Sequence, residues 1–451
     1  MTNYDVIEAY VEDFTNWNYV KARGVATISQ HKFIITECIL KGLSIVEDIQ
    51  EPYSNLTVRI IGITDNQEVL ITDYVNGKHQ IINTITEDGI YTIEDRHHFV
   101  GFGCNFVGTC NITIEQLPTS ILKDYSGNKH DAYLYGFKGR LNSGVGIYAQ
   151  DFTKWIFGSA IHNISTKAHN KLHIVKKNPN NYFGYTIGIQ KANYYNKPYK
   201  LKFNFNKEID DINFSVVSTD GNLITTQCFS AIINNGSVVD VPIISEEIFN
   251  NQKEPNIYYD FGTNKDIEID VELIPDYPNQ LCYDGKSYAV AYGLPILTDY
   301  TVIADRTWFA EKVDNGVFMS KALEQNGAFI LEYKQGDEWN TYSYYSATNI
   351  NIDKDNSIVY QTKNKYNEQT IYPGDKQDTD TLFIGTIRKD DSRSFIGYHG
   401  DILLFNRTLT DDELSVIKEV VFGISDIKDA LLTVDKKYIK LNDNNYIKLN
   451  K

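Results

Sequence analysis

The sequence predicts an all-β protein of tandem β-sandwich units with one short helix near its C-terminus. Hydrophobic residues make up 42% of the 451 residues and aromatic residues 13%, with 32 Tyr and 22 Phe against 2 Met. Aromatic and β-branched side chains pack well on a pleated sheet. Runs with period-two alternation, such as 56–62, 69–74 and 199–205, recur along the chain. A chain of this length should divide into about three domains.

Turn-forming dipeptides separate these runs. Asp88-Gly89, Asn76-Gly77, Asp220-Gly221 and Asn235-Gly236 each stand between two alternating segments. Such dipeptides supply the positive φ that tight hairpins require. They predict antiparallel hairpins.

An internal echo indicates two similar β units. The segments ITIEQLP (112–118) and IDVELIP (269–275) each close a long stretch of strands with a proline. True duplication and ordinary strand composition both account for this similarity.

One segment is typical of a helix. Thr410 and Glu413 have the spacing of a capping box, and Leu414, Ile417 and Val421 follow at helical spacing. The helix is expected to end at Gly423. Beyond it, YIKLN occurs at 438–442 and again at 446–450, which predicts a terminal hairpin or an intermolecular strand.

The stretch from Phe395 to Leu414 resembles the end of a laminin-G-like, concanavalin A-type jelly roll. In that family a strand of the form GxIxxxxxFNRxL precedes a short T/S-D-x-E helix, and His399 stands here where the family has Ile. Ile402, Leu404 and Phe405 are then expected to face the core. Segments 284–290 and 297–308 resemble the early strands of the family, and 124–128 with 143–146 its entry strand.

These features predict a discontinuous organisation. The expected parts are an N-terminal arm (1–29), a first β-sandwich unit (30–119), the jelly roll (120–157 plus 277–425), an inserted second unit (160–276) and a tail (426–451).

The phrases LKDYSGN (122–128) and LPILTDYTVIA (294–304) are similar to virion proteins of Bacteroides-infecting phages, including crAss-like ones. The resemblance implies a structural fibre or decoration protein of the head or tail. Its partners would be other virion proteins and host-surface glycans, and it would be a homo-oligomer located in the virion.

Charge and sequence pattern exclude other classes. A net charge of −16 argues against binding nucleic acid, which needs clustered Lys and Arg. The acidic N-terminus lacks a signal-peptide pattern and no apolar run is long enough for a membrane helix, so we expect a soluble product of the host cytoplasm. The five Cys and nine His show no ligand spacing, and we expect buried free thiols, no metal and no cofactor.

One pattern suggests an enzyme. Glu268, Asp270 and Glu272 have the E-x-D-x-E spacing of the catalytic strand in laminarinase- and lichenase-like glycosidases. On a strand the three carboxylates share one face, about 6.6 Å apart. The alternative is a solvated acidic face on an edge strand, which discourages edge-to-edge pairing. We therefore expect no catalysis and keep a concanavalin-fold glycoside hydrolase as the alternative.

The candidate glycan-binding residues are Trp339, Tyr342, Tyr344 and Asp337. Sugar rings stack on aromatic faces while carboxylates accept their hydroxyls. Period two places Tyr342 and Tyr344 on one face and Tyr345 on the other.

Two further groups of residues are candidates. Tyr10, Phe14 and Trp17 follow the spacing of an amphipathic helix or an ordered arm and are candidates for docking on the virion. The acidic clusters 353–355 and 375–380 could be calcium loops, but lysines interrupt both, which favours ordinary solvated loops.

Overall fold

The structure is a computed structural model of the whole chain. It describes residues 10, 12–47, 55–75, 78–94, 98–137, 143–157, 162–176, 187–206, 211–219, 225–250, 256–262, 266–309, 315–323, 325–389, 392–423, 438–442 and 445–448. The protein is all-β with tandem sandwiches, as predicted.

Unit 1 (12–116) is a sandwich of two five-stranded antiparallel sheets. Their spatial orders are β1-β4-β9-β6-β7 and β2-β3-β10-β5-β8. In chain order the strands are β1 (Asn18–Tyr19), β2 (Gly24–Ser29), β3 (Lys32–Cys38), β4 (Gly42–Val46), β5 (Leu56–Ile61), β6 (Val69–Val75), β7 (Lys78–Ile85), β8 (Gly89–Ile93), β9 (His98–Cys104) and β10 (Gly108–Gln116).

Three short strands follow unit 1, namely β11 (Ile121–Leu122), β12 (Ala132–Tyr135) and β13 (Gly144–Val145). β11 pairs with β12, whereas β12 and β13 pair with strands far along the chain. Between them and those partners lies unit 2 (148–274), with β14 (Ile156–Phe157), β15 (His162–Lys167), β16 (Lys171–Lys176), β17 (Ile187–Gln190), β18 (Tyr199–Phe205), β19 (Ile212–Thr219), β20 (Thr225–Ile233), β21 (Val238–Val241), the helix α1 (Glu246–Asn250), β22 (Asn256–Gly262) and β23 (Ile267–Ile274).

Unit 2 repeats the fold of unit 1 strand for strand. Its sheet orders are β14-β17-β22-β19-β20 and β15-β16-β23-β18-β21. Both units begin with the pattern Y-x-x-D-F-T-x-W, at 10–17 and 148–155. In each, the aspartate caps a short 3-10 helix, Phe14–Asn16 or Phe152–Lys154. The units are therefore duplicates of one fold.

Two of the predicted hairpins are wrong. Asp88-Gly89 joins β7 to β8, and Asn235-Gly236 joins β20 to β21, but the strands of each pair lie in opposite sheets. These turns carry the chain across the sandwich, at the same place in both units. The other two dipeptides lie outside the described residues.

The jelly roll has sheets of eight and seven strands, in the orders β11-β12-β25-β34-β27-β28-β29-β30 and β13-β24-β35-β26-β31-β32-β33. Its later strands are β24 (Leu281–Asp284), β25 (Tyr288–Ala291), β26 (Thr301–Trp308), β27 (Asn315–Leu323), β28 (Asn326–Gln335), β29 (Glu338–Ser343), β30 (Ser346–Ile350), β31 (Ile358–Thr362), β32 (Lys365–Tyr366), β33 (Gln369–Thr370), β34 (Leu382–Ile384) and β35 (Ile396–Phe405). The chain then forms the helix α2 (Asp411–Phe422) and a terminal hairpin of β36 (Tyr438–Asn442) and β37 (Asn445–Lys448). None of the helices described is both long and apolar enough to cross a membrane.

Helix α2 has the predicted capping box. The Thr410 side chain accepts from the Glu413 backbone, the Glu413 carboxylate accepts from Thr410, and Gly423 ends the helix at a φ of 72°. Ile402 and Leu404 pack on the main jelly-roll core as expected, whereas Phe405 packs beneath α2.

The cores of units 1 and 2 correct two of the predicted domain boundaries. Phe14 and Trp17 lie in the core of unit 1, and β2 is a strand of that unit, so residues 12–29 are no free arm. Phe152 and Trp155 lie in the core of unit 2, which therefore begins before residue 157. Residues 1–9 lie outside the described part of the chain.

The cysteines also differ from expectation. Cys38 at the end of β3 and Cys104 at the end of β9 form a disulfide, which joins the two sheets of unit 1. The other three are free thiols, as predicted, but only Cys282 is buried, and Cys110 and Cys228 are partly exposed. Sequence spacing gave no signal because the pair is brought together by the sandwich itself.

Unit 1 rests on the outer face of the eight-stranded sheet. Leu117, at its exit, packs in a small aromatic cluster on that face. The Arg59 guanidinium lies 4.2 Å from the ring centre of Tyr292, and Lys389 forms an ion pair with Glu115.

Candidate functional site

The four predicted glycan-binding residues do not form one patch. Tyr344 and Tyr345 have φ values of 43° and 65° and form the two-residue turn between β29 and β30. Tyr344 is buried, and its hydroxyl donates to the Leu297 carbonyl at 3.1 Å. Trp339 packs between the sheets, whereas Tyr342 packs in a separate cluster with Tyr333. The period-two assignment fails because the strand ends before Tyr344.

Trp339 has a partner that the sequence did not indicate. Its ring centre lies 5.0 Å from that of Trp308, at an interplanar angle of 73°. Trp308 ends β26 and Trp339 lies at the start of β29, and both indoles are partly exposed. We call Trp308 and Trp339 the tryptophan corner. Asp337, the remaining candidate, is exposed in the adjoining turn.

The inner side of the tryptophan corner, which we call its floor, is formed by apolar side chains. The Phe395 ring centre lies 4.6 Å from that of Trp308 in an edge-on contact. Ile350 is the cross-strand partner of Trp339 and is buried. The two indole rings thus meet at an angle. One side of each ring packs against the core, and the other side is exposed to solvent.

A buried carboxylate fixes the orientation of Trp308. Glu332 is 0% exposed, and its oxygens accept the Trp308 indole N–H at 2.8 Å and the Tyr366 hydroxyl at 2.5 Å. Arg306 donates to it twice, from Nε at 2.7 Å and from Nη2 at 2.5 Å. Arg306 and Tyr366 are buried, so the carboxylate that holds the partly exposed Trp308 is itself fixed from the interior.

The charge state of this network follows from its contacts. Burial opposes ionisation of Glu332, but the Arg306 guanidinium and the hydrogen bonds outweigh it and hold the pKa of Glu332 below its usual value. The carboxylate is therefore ionised and paired. Removing either partner would leave a buried charge uncompensated, which is strongly destabilising.

Glu332 also has an unusual backbone. Its φ is 55°, in the left-handed region that non-glycine residues seldom adopt. The register of β28 on β29 shifts between Ile330 and Tyr333, so Glu332 lies in a bulge. Bulges re-aim side chains, and this one turns the carboxylate into the space between the sheets. Backbone strain of this kind persists only where the surrounding contacts hold the residue in place.

The E-x-D-x-E residues lie on the outer face of unit 2. Strand β23 buries Ile267, Ile269, Val271 and Leu273 and directs Glu268, Asp270 and Glu272 outward. It is central in its sheet, between β16 and β18, so the expected edge position is wrong.

Basic side chains of β16 engage this acidic row. His173 Nδ1 lies 2.7 Å and Lys171 Nζ 3.5 Å from the Asp270 carboxylate. Burial alone would raise the pKa of Asp270, but the His173 hydrogen bond and the Lys171 charge lower it below its usual value. A general acid needs the opposite shift.

The docking candidates are not exposed aromatics. Phe14 and Trp17 are 1% and 5% exposed in the unit 1 core, where Trp17 stacks on Phe102 and Phe14 contacts it edge-on. Tyr10 stacks on His31, with ring centres 3.6 Å apart. Docking through Phe14 and Trp17 would require unit 1 to unfold, so this prediction is corrected.

The acidic clusters have structural roles in the part of the chain that is described. Asp353 caps its own loop by accepting the Asp355 backbone N–H at 3.0 Å. Asp378 is buried and forms an ion pair with Lys321. Among the described residues no group of three or more His, Cys, Asp or Glu could hold a metal ion.

Comparison with known proteins provides no assignment. No family model matches the chain, and no curated protein matches it. Among solved structures it is similar to the N-terminal CBM22-1-CBM22-2 tandem domain from Paenibacillus barcinonensis Xyn10C. The identity is 10% and the TM-score 0.23, with 58% of this chain and 93% of that chain covered.

Proposed function

We propose that the protein is a non-catalytic glycan-binding protein and that the tryptophan corner is its binding site. The observation that carries the proposal is the meeting of two partly exposed indoles at a wide angle over a closed apolar floor. The apolar face of a sugar ring stacks on such a surface, while polar groups at the edge accept its hydroxyls. Asp337 and Glu338 are exposed in the turn and at the strand start beside Trp339.

The Glu332 network favours binding by preorganising the site. A freely rotating indole would lose rotamer entropy when a ligand stacks on it, about 0.5–1.5 kcal/mol for a side chain. Trp308 incurs less of this cost because its N–H is already held by Glu332. The buried ion pair of Arg306 and Glu332 thus holds Trp308 in a fixed orientation at the surface.

The same geometry favours binding over hydrolysis. The one acidic row with a glycosidase spacing lies in unit 2, away from the tryptophan corner, and Asp270 in its centre is ion-paired. The contacts of His173 and Lys171 with Asp270 support a solvated, paired surface at that position.

The finer role rests on the sequence resemblance. We propose that the glycan-binding jelly roll is displayed on a bacteriophage particle as a fibre or decoration protein and attaches it to host-surface glycans. Labelling this chain on intact particles tests the location, and mass photometry of the purified chain tests the expected homo-oligomer. Absence of the chain from purified particles would overturn the virion role without affecting glycan binding.

Glycan binding is tested on the purified full chain with an array of neutral glycans and by calorimetry on the glycans that bind. Trp339→Ala is expected to lower affinity at least tenfold because one stacking surface is lost. Tyr125→Ala is the control, since Tyr125 is 79% exposed in the loop between β11 and β12, at the opposite edge of the same sheet. Binding that survives Trp339→Ala unchanged would exclude this site.

Catalysis is tested separately. The chain is incubated with β-glucans and the reducing ends are measured, and we expect no release above that of a heat-denatured sample. Cleavage that disappears in Glu268→Gln would replace our proposal with the glycosidase alternative.

A further inference from the structure

A second aromatic cluster lies behind Trp308 of the tryptophan corner, on the outer face of the seven-stranded sheet. Phe309 follows Trp308 in the chain, and successive side chains of an extended segment point to opposite faces. Its backbone N–H continues the pairing by donating to the Ile396 carbonyl at 2.9 Å. The two clusters therefore share one strand end.

This second cluster consists of Tyr277, Phe309 and Tyr398, which we call the outer shelf. The Tyr277 ring centre lies 4.8 Å from each of the other two, and Phe309 lies 5.6 Å from Tyr398. All three side chains are partly exposed. Tyr398 projects from the central strand β35, between Cys282 of β24 and Thr307 of β26.

We infer that the outer shelf is a second stacking subsite, and that the ligand is a neutral oligosaccharide chain long enough to cover both the tryptophan corner and the outer shelf. The inference rests on the proposed function. A single terminal sugar would contact only one of the two clusters, because they lie on opposite sides of the β26 end.

Polar groups also lie beside the outer shelf. Gly400 follows Tyr398 by two residues, and a side chain there would collide with Asp305 Oδ2 and Gln280 Oε1, at 2.6 and 2.8 Å. The missing side chain therefore lets Asp305 and Gln280 approach the backbone of β35. Asp401, the next residue, is exposed and offers a carboxylate that a sugar hydroxyl can reach.

The charges around the outer shelf favour a neutral chain. Asp305 and Asp401 lie beside it, and burial together with the nearby Asp305 charge raises the pKa of Asp401. At the tryptophan corner Asp337 and Glu338 are exposed, while Lys334 Nζ lies 5.8 Å from the Trp339 ring centre. A uronic acid chain would therefore meet repulsion at the outer shelf.

A purely structural role is the competing explanation for the outer shelf. Tyr277 lies in the segment that returns from unit 2 to the jelly roll, so the three rings could serve only to seat that segment. A structural role predicts that Phe309→Ala lowers thermal stability without changing how affinity depends on ligand length. Our inference predicts a change in length dependence.

The test measures affinity of the full chain for neutral oligosaccharide ladders of glucan, mannan and galactan, from two to eight sugars. We expect affinity for the bound ladder to rise at least tenfold from the shortest to the longest member. Phe309→Ala should remove that rise and leave the shortest member unchanged, whereas Trp339→Ala should weaken both. Phe309→Leu keeps apolar volume without an aromatic face and should behave like Phe309→Ala in binding while melting like the wild type.

The possible failures can be told apart. Binding that needs Trp339 but shows equal affinity along the ladder, or that keeps its length dependence in Phe309→Ala and Phe309→Leu, overturns the inference and leaves the proposed function standing. Binding to none of the ladders overturns both. An oligogalacturonate ladder that binds as tightly as the neutral one overturns the assignment of a neutral ligand.

Discussion

Units 1 and 2 share one fold but use it differently. Each unit places a glutamate between two basic residues on the outer face of one sheet. In unit 1 Glu115 is the cross-strand partner of Lys32 and Arg59. In unit 2 Glu272 is the cross-strand partner of Lys171 and Lys202. In unit 1 that surface is occupied by the jelly roll through Lys389 and Tyr292.

In unit 2 the remainder of the same face has become acidic. Asp270 and Glu268 stand where unit 1 has Thr113 and Asn111, and His173 and Lys171 accompany them. Unit 1 also has a disulfide where unit 2 has none among its described residues. Duplication thus preserved the core and the sheet order, while the surfaces and the covalent link diverged.

The largest effect should come from the tryptophan that both units share. Trp155 is 0% exposed and Trp17 5% exposed, each in the core of its own unit. Trp155→Ala should destabilise unit 2, and Trp17→Ala unit 1, by about 3–5 kcal/mol each. Chemical denaturation followed by limited proteolysis would show which unit opens.

Ile156→Ala is the control for this prediction, since Ile156 adjoins Trp155 in the chain but is 62% exposed. It should cost less than about 0.5 kcal/mol. Equal losses in Trp155→Ala and Ile156→Ala would mean that the core of unit 2 is not built as described.

A smaller, unit-specific effect is expected from the disulfide. Cys38 and Cys104 are 66 residues apart in the chain, and a loop of that size corresponds to about 4 kcal/mol of stabilisation in the chain-entropy account. Reduction, or Cys38→Ser with Cys104→Ser, should therefore lower the melting temperature of unit 1 and leave that of unit 2 unchanged. Thiol titration of the denatured, unreduced chain should detect three cysteines, and five would contradict the disulfide.

The two units also show what could be predicted from the sequence. The all-β class followed from local properties, namely composition and period two, and α2 followed from a cap that spans only four residues. The repeat Y-x-x-D-F-T-x-W at 10–17 and 148–155 marks the start of both units more clearly than the echo of ITIEQLP and IDVELIP that indicates their similarity.

The site was harder to predict because long-range contacts define it. Trp308 and Trp339 meet only through the pairing of the jelly-roll sheets, and two consecutive positive φ values at Tyr344 and Tyr345 ended the alternation on which the predicted patch depended. Glu332 gave one signal, a carboxylate within an otherwise apolar run. Its partner Arg306 lies on another strand, which sequence spacing cannot indicate.

The docking of unit 1 should be weaker than either core effect. Glu115 is largely buried in its ion pair but Lys389 is about a third exposed, so solvent screens the pair. We expect Glu115→Gln to cost about 1 kcal/mol and to loosen unit 1 from the jelly roll, seen as a larger radius of gyration in small-angle scattering. Glu272→Gln, the equivalent change in unit 2, should leave the radius unchanged. The same expansion in both variants would refute the idea that only unit 1 uses this surface for docking.

The smallest effect is the pH dependence that Asp270 contributes to the stability of unit 2. The pKa of Asp270 is lowered in the folded state, so its ionised form stabilises unit 2 at pH values above the unfolded pKa of about 3.9. That contribution is lost as the pH falls from there through the lowered folded pKa. Asp270→Asn should therefore cost less than about 1 kcal/mol at pH 7, and its difference from the wild type should close on acidification. Thr113→Val, at the equivalent position of unit 1, has no group to titrate and should differ from the wild type by the same amount at every pH. An Asp270→Asn difference that persists into strong acid would show that the side chain acts by packing, and that the charged face of unit 2 contributes nothing to its stability.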